Sequence, residues 1–211
     1  MTSLPMLNTR EDYHVHANFN DHSPSNLSIE NIVKRAEKLK LNKIAITEHV
    51  RKSSDWIEDY LNQIETYGNK KIITGFEARI LPDGTPNCLM KYQKKYFIIA
   101  SFHNLFHDKK KWMQALEKII CNSNVDVIGH LGPWHDEDIK ITDEELNYLS
   151  NLMADQEKII EINAKYRWPK KNWIKIFKKN GVKFHLGSDA HKLKDIGQFD
   201  RISDLINLVN K

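Results

Sequence analysis

Histidine and carboxylate residues recur along this sequence at spacings typical of metal ligands. His14 and His16 are two residues apart, as are Asp189 and His191, and residues two apart in an extended strand point to the same side. Imidazole together with carboxylate suits Zn²⁺, Mn²⁺ or Fe²⁺, whereas Ca²⁺ and Mg²⁺ prefer oxygen ligands. The candidate metal ligands are His14, His16, His22, His49, Glu77, His103, His130, Asp189 and His191. Because this set exceeds what one tetrahedral ion needs, we expect a cluster of two or three ions.

Seven short apolar segments, rich in Ile, Val and Phe and without alternation, predict strands buried on both faces. The predicted strands are Tyr13–His16, Lys43–Thr47, Lys71–Glu77, Tyr96–Phe102, Val125–His130, Lys158–Ile162 and Val182–Gly187. Between them, Ser28 is a candidate helix cap, Thr142 and Glu145 form a capping box, and Pro169 suits a first helical turn. Further helices are predicted at Asp55–Tyr67, Lys109–Asn122 and Arg201–Asn210, and a turn-rich excursion at Leu81–Tyr92. This alternation predicts one α/β domain over residues 1–211, either a closed barrel or an open doubly wound sheet.

Each predicted strand ends in, or is followed by, a polar residue of a type that binds metal ions or substrates. In strand order these residues are His14 and His16, Glu48 and His49, Glu77, His103, His130, Asn163, and Asp189 with His191. Active sites of such folds lie at the carboxyl ends of the strands, so these residues would converge. A single histidine after a strand usually packs or faces solvent, but the predicted helices contain none, and the joint pattern favours a site. We expect His107 and His135 in loops near that site and His185 packed within the seventh strand.

The balance of charge indicates the chemistry. Two or three divalent ions would carry more positive charge than Glu77 and Asp189 cancel. Such a pocket favours hydroxide and a phosphate group, and clustered ions stabilise both the attacking and the leaving oxygen in phosphoester hydrolysis. We therefore expect a metal-dependent phosphoesterase in which a hydroxide that bridges the ions attacks phosphorus.

The composition limits the classes of partner and compartment. The net charge of +4 comes from dispersed basic residues without interleaved aromatic residues, so we do not expect nucleic acid as a partner. Two cysteines cannot form a disulfide framework, which is typical of a reducing compartment. No signal peptide is evident, and no apolar run approaches the roughly 18 residues of a membrane span. We expect a cytoplasmic protein with a small phosphorylated substrate; nothing in the sequence indicates an oligomeric state.

Six short motifs, in order along the chain, resemble those of the PHP (polymerase and histidinol phosphatase) domain family. They are Asp12-x-His14-x-His16, Thr47-Glu48-His49, Gly75-x-Glu77, Ser101-Phe102-His103, Gly129-His130 and Gly187-Ser188-Asp189-Ala190-His191. The similarity extends from about Asp12 to Gly197. It implies a distorted seven-stranded (β/α)7 barrel, similar to a TIM barrel, that holds a trinuclear metal centre.

The resemblance also implies how the ions would share their ligands. The first ion would bind His14, His16, Glu77 and Asp189. The second would bind Glu77 as a bridge, together with His103 and His130, and the third would bind His22, His49 and His191. All of these positions hold the residue types of the family.

One further segment resembles the histidinol-phosphatase branch of the family. Glu161-Ile162-Asn163, followed by Arg167 and Pro169, is similar to a segment in which an arginine contacts the substrate phosphate. We expect Arg167 and Arg51 to bind phosphate through their planar guanidinium groups, and Arg167 also to stabilise charge on the transferring phosphoryl group. The chain is shorter than the histidinol phosphatases, so the resemblance supports the chemistry more firmly than that one substrate.

Other groups are candidates for binding and proton transfer. Lys165 and Lys192 are further substrate-binding candidates. The leaving alkoxide needs a proton, and the candidates for supplying it are Asp12, Glu48, a ligand histidine and a water on the third ion. The sequence does not choose among them.

Three functions remain open at this stage. The leading one is a phosphomonoesterase that acts on a small, histidinol phosphate-like metabolite. A phosphodiesterase or exonuclease that acts on nucleotides or nucleic-acid ends is a second, since PHP domains of DNA polymerases resemble this chain. A non-catalytic metal-binding regulatory module is a third, and it would predict an eroded ligand set.

Overall fold

Seven parallel strands form one sheet in the order in which they occur along the chain. The computed structural model describes residues 6–20, 23–103, 106–131 and 140–211. The strands are β1 (Glu11–Val15), β2 (Lys43–Val50), β3 (Ile72–Arg79), β4 (Phe97–Ser101), β5 (Val127–Ile128), β6 (Ile159–Asn163) and β7 (Lys183–Gly187). Each strand pairs in parallel with the next, so all of their carboxyl ends lie at the same edge.

Helices connect the strands and cover the outside of the sheet. In the described residues they are α1 (Ile29–Lys38), α2 (Ile57–Tyr67), α3 (Met90–Gln93), α4 (Lys109–Ile120), α5 (Asp143–Asp155), α6 (Lys171–Lys179) and α7 (Ser203–Asn210). Short 3₁₀ turns at Leu193–Asp195 and Asp200–Ile202 lie between β7 and α7. None of these helices is both long and apolar enough to cross a membrane.

The sheet is nearly closed into a barrel where its first and last strands meet. The backbone N–H of Asp189 donates to the carbonyl of His14 at 2.8 Å, and that of His16 donates to the carbonyl of Ala190 at 3.0 Å. Both bonds join β1 to the segment directly after β7. This closure selects the barrel over the open sheet and confirms the expected single α/β domain with a seven-stranded, TIM-like barrel.

Local sequence signals account for most of the helix boundaries. Ser28 caps α1, since its hydroxyl accepts a hydrogen bond from the backbone N–H of Asn31 at 3.3 Å. Thr142 and Glu145 form the expected capping box of α5. The predicted position of Pro169 in the first turn of a helix was wrong. Helix α6 begins at Lys171, so the proline precedes it.

Two other element predictions need adjustment. The fifth strand is only Val127–Ile128, because Val125 belongs to a turn in which its N–H donates to the Asn122 carbonyl. The final helix begins at Ser203 rather than at Arg201, after the 3₁₀ turn that contains Arg201. The excursion that follows β3 does contain turns, and it ends in the short helix α3.

His185 packs inside the barrel near the amino ends of the strands, as expected. Its ring stacks on Tyr13 with the ring centroids 5.1 Å apart, and Phe97 lies 6.2 Å away. Burial lowers the pKa of His185 to about 4, so the imidazole is neutral at pH 7. Glu161 pairs with His185 across β6 and β7, and its negative charge raises the pKa of His185. That effect is smaller than the effect of burial.

We predict that replacement of His185 with phenylalanine makes the protein less sensitive to acid. Between pH 6.5 and about 4 the unfolded chain binds a proton at His185 that the folded chain excludes. Stability is therefore lost as the pH falls through that range, by about 3 kcal/mol at most. Urea unfolding of both proteins at pH 7 and pH 5 measures the difference. An equal loss of stability in wild type and His185→Phe would contradict the assignment.

Candidate metal centre

The carboxylate of Glu77, buried at the carboxyl end of β3, lies at the centre of a cluster of imidazole rings. Its Oε2 is 2.7 Å from Nδ1 of His49, and its Oε1 is 3.0 Å from Nε2 of His130. The other distances from its oxygens to imidazole nitrogens are 3.5 Å for His14, 3.7 Å for His16 and 3.3 Å for His103. Side chains from the ends of β1 to β5 therefore converge on this one carboxylate.

Asp189 and His191 form the opposite side of the cluster. Oδ1 of Asp189 lies 3.3 Å from Nε2 of His16 and 3.3 Å from Nδ1 of His191. Asp189 has a left-handed backbone with φ of 52°, a conformation that aspartate tolerates better than most residues. The backbone bond from its N–H to the His14 carbonyl keeps the carboxylate beside the β1 histidines.

The arrangement fits metal ions better than it fits a hydrogen-bonded cluster. Neither oxygen of Glu77 accepts a hydrogen bond of regular geometry from a described residue, although both are buried, and buried carboxylate oxygens normally have such partners. Three groups of potential ligand atoms lie within 4.8 Å of one another: His14, His16 and Glu77; His49, Glu77 and His103; and His16, His49 and His191. The donor set combines imidazole nitrogens with carboxylate oxygens, which suits Zn²⁺, Mn²⁺ or Fe²⁺.

Charge and burial act together at these ligands. Burial alone would raise the pKa of Glu77, but the charges of His103, His49 and His14 hold it well below its usual range. Burial and the nearby His16 lower the pKa of His49 to about 4. Glu77 and His49 are therefore in the forms that bind a metal ion, whereas the nearby carboxylates raise the pKa of His14 and of His16 despite their burial.

One side of the cluster is open to solvent. The side chains of His49, His103 and His191 are 25%, 17% and 18% exposed, whereas those of His14 and His16 are fully buried. A substrate therefore approaches from the side of His49, His103 and His191.

Glu161 orients His14 and is a residue that sequence reasoning did not assign to this role. Its Oε1 accepts a hydrogen bond from Nδ1 of His14 at 2.6 Å, so that Nε2 of the ring faces the cluster. Asn163 donates to the other oxygen of Glu161 and to Asp189, at 3.1 and 3.2 Å. Any side chain at Gly187 would overlap Glu161 and His14, so a glycine is needed there. The sequence did contain a signal for this role, because Glu161 is an acidic residue inside the otherwise apolar strand β6.

Two of the predicted proton donors have structural positions instead. Asp12 accepts hydrogen bonds from the backbone N–H groups of Ser188 and Gly197, both at 2.9 Å, and so ties β1 to the segment after β7. Glu48 accepts from the N–H of Ala17 and from the amide of Asn20, both at 2.9 Å. Carboxylates whose oxygens are used as acceptors in this way are poorly placed to donate a proton to a leaving group.

Arg167 is not brought to the cluster. Its backbone is left-handed, with φ of 51°, and its guanidinium donates to the Arg201 carbonyl and to Asp204 at 3.1 Å. The predicted phosphate-binding arginine therefore holds the chain before α7 in place. Its contact with a substrate phosphate stays a prediction, and sequence spacing did not indicate the direction that this side chain takes in the loop.

Lys165 is the predicted substrate-binding cation that contacts the ligands. Its Nζ donates to Asp189 Oδ1 at 3.2 Å and to His191 Nδ1 at 3.3 Å, and it lies 5.0 Å from the centre of the Tyr166 ring. Burial opposes its charge, but Asp189 raises the pKa of Lys165 above its usual value. Lys192 lines the cavity next to this contact.

Arg51, which the sequence predicts to bind phosphate, lines a separate small cavity at Glu77, His49 and His103. Arg79 lines the same cavity and was not predicted. It follows Glu77 by two residues on β3, so strand alternation places both on one face, and this spacing was the available signal.

Three further histidines were considered in the sequence. His22 and His135 lie outside the described residues, and His107 is exposed just before α4.

The two cysteines are unpaired; Cys88 is buried, and burial raises the pKa of its thiol to about 12, which makes it a poor nucleophile.

Comparison with known proteins identifies the family. The family model of the PHP domain matches residues 12–165. A probable phosphatase of Aliivibrio fischeri is 31% identical over 215 residues, which cover 93% of this chain and 83% of that protein. The chain therefore belongs to the PHP domain family, and it is a phosphatase.

Solved structures agree with the fold. A histidinol phosphate phosphatase of Lactococcus lactis, in complex with zinc, L-histidinol and phosphate, has a TM-score of 0.66 and 21% identity, covering 96% of this chain and 93% of that one. A chain of an archaeal ribonuclease P with mature tRNA has a TM-score of 0.56 and 14% identity, covering 94% and 91%. At these identities the likeness establishes the barrel and not the substrate.

We predict that Glu161→Gln weakens metal binding by about 10- to 100-fold. The amide keeps the shape of the carboxylate but removes the charge that fixes the His14 ring. Equilibrium dialysis against Zn²⁺ or Mn²⁺, followed by elemental analysis, measures the change. Glu157→Gln is the control, because Glu157 is 83% exposed and lies in the turn before β6, at the opposite end of that strand from the cluster. Unchanged affinity in Glu161→Gln would show that His14 does not need this partner.

Proposed function

We propose that this PHP-family phosphatase hydrolyses phosphate monoesters of small metabolites at a centre of two or three divalent ions. The observation that supports this most directly is the buried Glu77 carboxylate, which lies between imidazoles from several strand ends and accepts no regular hydrogen bond from a described residue. This arrangement is costly for a protein without ions and suits one that binds them.

The ligands divide into three overlapping groups. We infer that His14 and His16 would hold one ion with Glu77 and Asp189, and that His103 and His130 would hold a second, also with Glu77. A third ion would bind His49 and His191. Ions bound there supply a Lewis acid for the phosphoryl oxygens and lower the pKa of a coordinated water.

The chain's own residues contribute orientation and charge. Glu161 and Asn163 hold His14 and Asp189 in position from beneath. Lys165, held at Asp189 and His191, is placed to donate hydrogen bonds to phosphate oxygens on one side. Arg51 and Arg79 line the cavity on the other side. These groups bind the phosphate and stabilise the negative charge that it carries.

The surrounding cations favour a monoester over a diester. A phosphate monoester carries up to two negative charges near neutral pH, whereas a diester carries one. Four cations, Arg51, Arg79, Lys165 and Lys192, line the cavities at the ligands. The name of the Aliivibrio relative agrees with this choice, and the Lactococcus neighbour makes histidinol phosphate one substrate to test.

We predict that the purified protein binds two to three ions per chain and hydrolyses p-nitrophenyl phosphate in preference to its bis ester. Elemental analysis and a steady-state assay with added Mn²⁺ or Zn²⁺ measure both quantities. Glu77→Gln should lower bound metal and reduce kcat at least 1,000-fold (an estimate of about 4 kcal/mol), because two of the three groups of potential ligands lose the carboxylate that they share.

The control variant is again Glu157→Gln, which should retain metal and activity. A preference for the bis ester would move the function to a phosphodiesterase. Less than one tightly bound ion, with no turnover after reconstitution, would favour a non-catalytic module.

A further inference from the structure

A cavity of about 300 Å³ lies beside the candidate metal centre, between the loops that follow β6 and β7. It shares Asp189 and His191 with the centre and extends away from them along the loop before α7. The residues that line its outer part are Lys165, Ser188, Lys192, Asp195, Gln198 and Arg201. Its volume is at the lower end of the range of small-molecule sites, so it has room for the part of a substrate that leaves with the ester oxygen.

The lining of this cavity is strongly positive. Lys165, Lys192 and Arg201 are cationic, and Asp195 is the one acidic residue among the described lining residues apart from the ligand Asp189. Neither Lys192 nor Arg201 forms an ion pair with any described residue, and both are exposed. Cations gathered in a cleft raise the local concentration of anions.

The position of Arg201 is fixed by the structure around it. Its carbonyl accepts a hydrogen bond from the guanidinium of Arg167. The acid three residues further on, Asp204, is paired with Arg167 at 3.1 Å and with Lys171 at 2.8 Å. The charge of Asp204 is therefore already compensated by Arg167 and Lys171. The guanidinium of Arg201 remains available to a ligand.

A second group of cations lies on the other side of the centre. Arg51 and Arg79 line a cavity of about 80 Å³ at Glu77, His49 and His103. That cavity is small and borders the ligands directly, so it suits a phosphoryl group. A single scissile phosphate does not account for a further cationic cavity of larger volume on the opposite side.

We propose that the substrate is a phosphate monoester whose leaving group carries a second anionic group, a carboxylate or a phosphate, which binds Lys192 and Arg201. This inference rests on the proposed monoesterase activity. Water adds to phosphorus and the ester P–O bond breaks, so that inorganic phosphate and an acidic alcohol are released. An alcohol with an ammonium group, such as histidinol, would be repelled by the same cavity.

The test compares three esters that differ only in the distal group: glycerol 3-phosphate, 3-phosphoglycerate and glycerol 1,3-bisphosphate. We expect kcat/KM to be about five- to tenfold higher for one or both acidic esters than for glycerol 3-phosphate, mainly through a lower KM. Higher activity on 3-phosphoglycerate indicates a carboxylate and higher activity on the bisphosphate indicates a phosphate. An increase in ionic strength should reduce the preference, because exposed charges are screened.

Lys192→Gln and Arg201→Gln should each remove most of that preference, and Arg201→Gln should leave glycerol 3-phosphate turnover unchanged. Lys194→Gln is the matched control, because Lys194 is an exposed lysine two residues away that does not line this cavity. Equal kcat/KM for the neutral and acidic esters, or a preference that survives both substitutions, overturns the inference while monoesterase activity stands. If no monoester is hydrolysed, the proposed function fails and this inference fails with it.

Discussion

The buried carboxylate of Glu77 is the constraint on which the rest of the structure depends. An ionised carboxylate away from water is stable only when opposite charge or strong hydrogen bonds surround it. Here imidazoles from β1, β2 and the segments after β4 and β5 surround it at 2.7 to 3.7 Å. A closed parallel barrel meets this requirement, because it brings the carboxyl ends of strands that are distant in sequence to one rim. The site and the barrel closure are therefore linked, and the backbone bonds between β1 and the Asp189–Ala190 segment serve both.

Four other buried carboxylates show how the environment divides one chemical group among different tasks. Asp189 faces the imidazoles and is a candidate ligand, whereas Glu161 lies beneath His14 and sets the direction of its ring. Asp12 and Glu48 accept hydrogen bonds mainly from backbone N–H groups and amides, and so they hold the segments on which the ligands are carried. A count of acidic residues near the rim would treat all of these alike. The partners of each carboxylate distinguish the candidate metal ligand Asp189 from the carboxylates that hold a ligand or its backbone in position.

Periodicity along the chain predicted a parallel α/β sheet and the convergence of the candidate ligands at one edge, whereas the choice of a barrel came from the resemblance to the PHP family. Strands have apolar runs, helices have caps, and a polar residue at each strand end must reach the same rim, so His14, Glu77 and His130 could be placed together without coordinates. Side-chain direction in loops was not predictable in this way. Arg167 contacts Asp204, and Glu161 contacts His14, through pairs far apart in sequence that no local pattern connects. Asp12 and Glu48 lie on β1 and β2 within or beside motifs, and their hydrogen bonds to segments distant in sequence were not evident from the motifs themselves.

The division between strands and loops also separates chemistry from selectivity. The candidate ligands lie at or just after strand ends, where the hydrogen-bonded ladder fixes the backbone, and a change there would disturb several of the proposed ion sites at once. The cations around them, Arg51, Lys165, Lys192 and Arg201, lie in loops or in the 3₁₀ turn before α7, and most are exposed. Lys165 differs from the other three cations because it contacts Asp189 and His191 and also borders the larger cavity. Substitution of Arg201 can change which leaving group is accepted without displacing the candidate ligands, because Arg201 lies in the 3₁₀ turn before α7 and not in a segment that carries a candidate ligand. A fold of this kind can thus keep one hydrolytic centre and adapt its substrate through a few exposed charges.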